Sequence, residues 1–193
     1  MVVAFSQPLP ASLRRPQRAA ATMRRLRLFI ALWPDAETRI ALSMAGLRFA
    51  ASGRSIPPPD LHMTLAFLGA AGVDAVPRLL RVMREAHPVA CDLRLDQFGY
   101  FASGKVLWLG SEHPVPALVH YQKRLSIGLR QAGFPTEKRA FKPHVTLARD
   151  CIRPDFAGEA PVSVDWRARE FALVESHSVP GGVRYRVLES LRA

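Results

Sequence analysis

The order H-x-T-L-A occurs twice in the chain, at His62, Thr64, Leu65 and Ala66, and again 82 residues later at His144, Thr146, Leu147 and Ala148. Each copy sits in a short apolar run, "LHMTLAFLG" and "PHVTLAR", that reads as a strand. Side chains alternate across a strand, so His62, Thr64 and Ala66 share one face while Leu61, Met63, Leu65 and Phe67 fill the other. The second copy likewise groups His144, Thr146 and Ala148 in front of Val145 and Leu147. A polar pair kept twice on otherwise buried strands constrains the chain to two related halves, with the polar faces turned toward a shared cleft.

The runs between the copies support that organisation. "RLRLFIALW" is a strand ended by Pro34, and Asp35 is placed to cap a helix running to about Ala51. "VDAVPRLLRVMREA" has helical spacing, as does the stripe Leu118, Tyr121, Leu125 and Leu129, which Gly133 closes. "CDLRLDQFGYF" with "KVLWLG", and "WRAREFALVES" with "VRYRVLE", read as hairpins. Hairpins mixed with crossovers predict an α+β fold rather than a doubly wound parallel sheet.

Lys and Arg total 27 against 16 Asp and Glu, a formal charge of +11. Six of the arginines fall within residues 1–27, which hold no acid, so the remainder carries 21 bases against 16 acids, or +5. That balance favours an anionic ligand without demanding nucleic acid. Residues 1–24 are rich in proline, alanine and arginine without a sustained period and read as a disordered basic arm, leaving residues 25–193 as one folded domain. No apolar run approaches the length of a membrane span, and Cys91 and Cys151 lack the spacing of a zinc site or disulfide framework. A soluble cytoplasmic protein with reduced thiols is expected. A cleft built within one chain needs no partner subunit, so a monomer is expected too.

Imidazole titrates near neutrality, so two rings in one cleft can supply a general base and a general acid. Threonine hydroxyls donate hydrogen bonds to phosphate oxygens without adding charge. Opening a phosphodiester by in-line attack calls for this set of groups. No H-x-x-x-H, H-x-H or acidic cluster accompanies the histidines, so no metal is expected. His87, His113, His120 and His177 lack partners at useful spacing and read as structural, and Asp60 and Asp150 stand alone beside the copies. Phe29, Trp33, Tyr100 and Phe141 are aromatics on which a base could stack.

The segments "RLFIALWP", "LHMTLAFLG", "KVLWLG", "KPHVTLARD" and "FALVESHSVPGGVRYRVLES" resemble, in order and spacing, the two-histidine (2H) phosphoesterases. The similarity is to their bacterial branch, the RNA 2′,3′-cyclic phosphodiesterases or 2′-5′ RNA ligases. This resemblance implies a bilobal, pseudo-twofold α+β fold with two antiparallel sheets flanking a groove and helices outside. It implies hydrolysis of RNA 2′,3′-cyclic phosphate ends to 2′-phosphates without a metal or nucleotide cofactor, with reversible 2′-5′ ligation. It also implies roles: His62 protonates the departing O3′, His144 activates water, Thr64 and Thr146 hold the phosphate, and Arg149 contacts it. Strand parity opposes the last assignment, because Arg149 is an odd number of residues from His144 unless a bulge turns it round. Two alternatives stay open, a 2H enzyme acting on another 2′-5′ or cyclic nucleotide linkage and a non-catalytic module that binds RNA ends.

Overall fold

The computed structural model describes residues 24–137, 139–180 and 182–193. All but the last residue of the expected arm, residues 1–24, lies outside them. That last residue, Arg24, is already tied to the body: its carbonyl accepts from the Val73 amide and its guanidinium approaches Glu175 at 3.4 Å.

The chain runs β1 (Arg25–Leu32), α1 (Ala36–Leu47), β2 (Arg54–Ser55), β3 (Met63–Gly72), α2 (Val76–Glu85), β4 (Cys91–Leu95), β5 (Gln97–Phe101), β6 (Val106–Gly110), α3 (Pro116–Gln131), β7 (His144–Arg149), β8 (Val164–Ala168), β9 (Glu170–Val179) and β10 (Gly182–Arg192). The Asp35 carboxylate accepts from the Thr38 amide at 2.8 Å and starts α1 as expected. The helix stops at Leu47, short of Ala51, and a single 3-10 turn over Ala50–Ser52 follows. Gly133, at φ +79°, closes α3 with the paired bonds Gly133 N–H to Arg130 O and Phe134 N–H to Leu129 O.

Strands of one sheet follow the order β10-β9-β1-β3-β7-β6-β5, with β2 also on β7; β4 and β8 form a separate antiparallel ribbon. The two strands of the motifs, β3 and β7, therefore meet edge to edge through one residue pair, Met63 opposite Val145, while β2 takes the rest of that edge of β7. Two expected strands are each divided in two. "CDLRLDQFGYF" breaks at Asp96 and "WRAREFALVES" at Arg169, and the N-terminal pieces, β4 and β8, leave the main sheet to pair with each other. The sequence carries the reason: inward positions slip from odd (Cys91, Leu93, Leu95) to even (Phe98, Tyr100), and from even (Trp166, Ala168) to odd (Phe171, Leu173). A flat strand cannot follow such a slip without changing face.

One face of the main sheet is covered by the helices. Leu28, Ile30 and Leu32 of β1 pack in one continuous core with Leu42 of α1, Leu79 and Met83 of α2, and Leu118 and Leu125 of α3. The intervening residues of β1, Phe29 and Ala31, belong to a small second cluster with Ala172 and Val174 of β9, bordered by Trp33, Tyr185 and Val187. Among the described residues no helix packs on this second face, which carries the groove.

Candidate active site

The Met63–Val145 pair fixes how the two motifs meet. Both residues are fully buried in the main core, so their neighbours along each strand project from the open face. In an antiparallel pairing through that point, His62 falls beside Thr146 and Thr64 beside His144, with all four side chains half-buried. Directly opposed residues in such a ladder are about 5 Å apart and diagonal ones about 7–8 Å. The two histidines stand in the diagonal relation, one from each half of the molecule.

A bulge at the same place in each copy changes the expected parity. Against β1, Ala31 pairs with Thr64 and Ile30 with Ala66, which leaves Leu65 extra; against β6, Trp108 pairs with Thr146 and Leu107 with Ala148, which leaves Leu147 extra. An extra residue shifts everything after it to the other face. Ala66 and Ala148, expected to keep the groove open, accordingly lie in the main core. The fifth residue after each histidine turns back to the groove. In the second copy this is Arg149, which brings its charge within range of both imidazoles. In the first it is Phe67, expected in the core but 53% exposed, with its ring 6.3 Å from that of Phe29.

Both imidazoles are held alike. Nδ1 of His62 lies 2.7 Å from the Asp60 carbonyl, and Nδ1 of His144 lies 2.6 Å from the Lys142 carbonyl. A carbonyl can only accept, so each Nδ1 carries the proton and each Nε2 is left with a lone pair for the groove. The surroundings of the two rings differ. Trp33 stacks on His62 at 5.6 Å and 15°, Phe29 leans against it at 4.8 Å, and Tyr185 meets it edge-on at 4.9 Å. His144 is met by Phe101 at 5.0 Å and Trp108 at 5.9 Å. Burial in its aromatic box pushes His62 down to about 4; the bond to Asp60 opposes this, while Arg149 and His144 add to it. Burial also lowers His144, opposed by the bond to the Lys142 carbonyl and the charge of Glu137 and reinforced by the charges of Lys142 and Arg149. In the free protein near neutral pH both rings are therefore uncharged bases.

Residues flanking the motifs are not isolated, as the sequence suggested they would be. Asp60 is buried and its Oδ2 accepts from Arg184 Nη1 at 2.8 Å; Asp150 pairs with Arg54 at 3.1 Å. Arg184 and Tyr185 come from β10, so the last hairpin reaches across the groove face to the first motif. Among the described residues no group of three or more His, Cys, Asp or Glu side chains gathers where an ion could be held.

The 2′-5′ RNA ligase superfamily model matches residues 33–179, about three quarters of the chain. The chain belongs to this superfamily. Among its relatives, the RNA 2′,3′-cyclic phosphodiesterase of Thermus thermophilus is 32% identical over 183 residues, covering 85% of this chain and 88% of the relative. The protein of the same name from Escherichia coli K12 is 31% identical over 138 residues, covering 72% and 78%. The crystal structure of E. coli LigT complexed with 3′-AMP superposes with a TM-score of 0.78 at 27% identity, covering 88% of this chain and 98% of that one. Two halves joined at their edges, with helices behind and a groove in front, thus constitute the fold of a 2′-5′ RNA ligase superfamily member.

Of the aromatics considered for base stacking, Phe29 and Trp33 line the His62 pocket, whereas Tyr100 donates its hydroxyl to the Cys151 carbonyl and Phe141 packs against the main core. Sequence reasoning missed Phe67, Phe101, Trp108, Lys142, Arg184 and Tyr185. Phe67 was hidden by the bulge, and the β10 residues lie more than 110 positions from the motif they reach. Lys142 had a signal, since it immediately precedes Pro143 and His144.

Proposed function

We propose that this protein hydrolyses RNA 2′,3′-cyclic phosphate ends to 2′-phosphates, with His62 and His144 exchanging protons. The observation that carries the reading is the matched pair of Nδ1–carbonyl bonds, which aims two basic Nε2 atoms into one groove from opposite halves of the chain. His144 Nε2 takes a proton from water as its oxygen attacks phosphorus; the P–O3′ bond breaks and His62 Nε2–H delivers a proton to O3′. A 2′-phosphomonoester and a free 3′-hydroxyl result. Thr64, Thr146 and Arg149 bind the equatorial oxygens as negative charge builds on them. With the 5′-hydroxyl of a second RNA in place of water the same proton transfers give a 2′-5′ bond, and the reverse reaction, attack of the 3′-hydroxyl on that bond, exchanges the two histidines.

Because His62 is uncharged in the free protein, its proton enters with the substrate. The anionic phosphate, once beside the ring, favours the imidazolium that burial disfavours. Phe67 offers the terminal base an exposed ring. The names of the relatives and the 3′-AMP held by E. coli LigT support a ribonucleotide end as ligand. The groove is complete within one chain, and Cys91 and Cys151 are free buried thiols, in keeping with a monomer in a reducing cytoplasm. No helix among the described residues is long and apolar enough to cross a membrane.

The test is turnover of an oligoribonucleotide ending in a 2′,3′-cyclic phosphate, in chelator, with the phosphate position of the product determined. A 2′-phosphate product supports the reading. A 3′-phosphate product, or turnover only of another 2′-5′ or cyclic linkage, replaces it with a different 2H activity; tight binding without turnover replaces it with an end-binding module.

A further inference from the structure

The Lys142 ammonium has no part in the proposed reaction. It lies 4.1 Å from the centre of the Trp108 ring and 5.9 Å from that of Phe101, and both rings also meet His144. The Lys142 carbonyl is the group that orients His144, so the backbone carrying the ammonium is locked to that ring. Among the described residues no carboxylate lies within ion-pair distance of Lys142, while Arg48, Arg54, Arg184 and Arg186 each have one. Lysine on a flexible stem loses side-chain entropy when held, and cation–π contact with two rings offsets that loss without neutralising the charge. The result is a positioned, exposed cation at the rim with no ion-pair partner among the described residues.

Its place relative to Arg149 narrows what it can meet. Trp108 on β6 and Phe101 on β5 lie on the side of β7 away from β3, which follows His62, so the Lys142 ammonium over their rings is displaced outward past His144. Arg149 follows His144 on β7 itself, and its charge reaches both imidazoles. A nucleoside 2′,3′-cyclic phosphate has one phosphate, which the centre uses. An RNA strand brings a second on the O5′ of the same nucleoside.

We propose that Lys142 binds this neighbouring internucleotide phosphate and thereby makes the protein favour the end of a strand over a free cyclic nucleotide. The inference rests on the reading that a cyclic phosphate end is the substrate. Single-strand contacts of this kind contribute through counterion release, so removing one phosphate contact flattens the dependence of log Kd on log salt by about 0.7.

The experiment compares the intact protein with Lys142→Gln and Lys142→Arg on uridine 2′,3′-cyclic phosphate and on a short oligonucleotide ending in the same nucleotide. Binding of the 2′-phosphate oligonucleotide is measured as salt is varied. Lys142→Gln is expected to raise KM for the oligonucleotide about 3- to 10-fold more than for the mononucleotide and to flatten the salt slope by about 0.7, with Lys142→Arg restoring both. Equal effects on the two substrates, or a salt slope that does not move, would show that the Lys142 side chain acts only through the rings around His144 and would overturn the inference while leaving the catalytic reading intact. If the unaltered protein turns over neither substrate, the reading and this inference fall together.

Discussion

Burial of His62 makes stability depend on pH in a way that can be isolated. In the unfolded chain the ring titrates near 6.5; in the folded protein it does so at about 4. The unfolded state therefore binds more protons between those values, and stability is full above about pH 6.5 and falls as the pH drops toward 4. A difference of that size corresponds to about 3 kcal/mol, of which some 2–3 kcal/mol is lost by about pH 4.5. His62→Gln removes the titration while keeping a polar side chain of similar reach. Urea unfolding of both proteins at about pH 7.5 and about pH 4.5 is the assay, because carboxylate effects common to the two cancel in the comparison. The unaltered protein should lose about 2–3 kcal/mol more than the variant over that interval, and the His62 ring resonances should titrate far below 6. Parallel losses in the two proteins, or titration of His62 near 6.5, would refute the argument that the aromatic box excludes the charged ring.

Replacing either histidine by alanine should lower kcat by about 10²- to 10⁴-fold on a cyclic phosphate end, measured in single turnover with folding checked by circular dichroism. Arg149→Ala should lower kcat/KM by about 10²-fold and raise the pKa of both imidazoles, which NMR titration reads, since its charge depresses each of them. Arg184→Ala leaves the buried Asp60 carboxylate without its partner and should cost about 1–3 kcal/mol in unfolding free energy. A Cβ at Gly99 would fall inside the Trp108 ring, so Gly99→Ala should displace that ring from His144, destabilising the fold by about 1–3 kcal/mol and lowering turnover together.

What could be read from the sequence was whatever obeys a short period. The α3 stripe of Leu118, Tyr121, Leu125 and Leu129 is buried as its spacing required, and the motif repeat placed two polar pairs on two strands that pair with each other. Parity fails as soon as a strand gains a residue. Leu65 and Leu147 look like any core leucine, and nothing in "HMTLAF" or "HVTLAR" says that two consecutive residues point inward; only the register against β1 and β6 does. The breaks at Asp96 and Arg169 were legible in principle as a slip from odd to even positions. The contact of Arg184 with Asp60 was not, because it depends on how a long hairpin lies over the sheet and no local pattern encodes that.

Two imidazoles that come from distant parts of the chain have to be kept aligned, and here the Met63–Val145 rung, beside the β2–β7 pairs Arg54–Arg149 and Ser55–Ala148, does it. Met63 and Val145 are fully buried and carry no acid or base, yet they form part of the pin through which the spacing of the two imidazoles is transmitted. A change that loosens this pin would leave each ring's own pocket, and so its affinity for protons, nearly as before while altering the span the phosphorus must bridge. Damage of that sort would appear as slow chemistry with normal titration, whereas opening the aromatic box would shift the titration first.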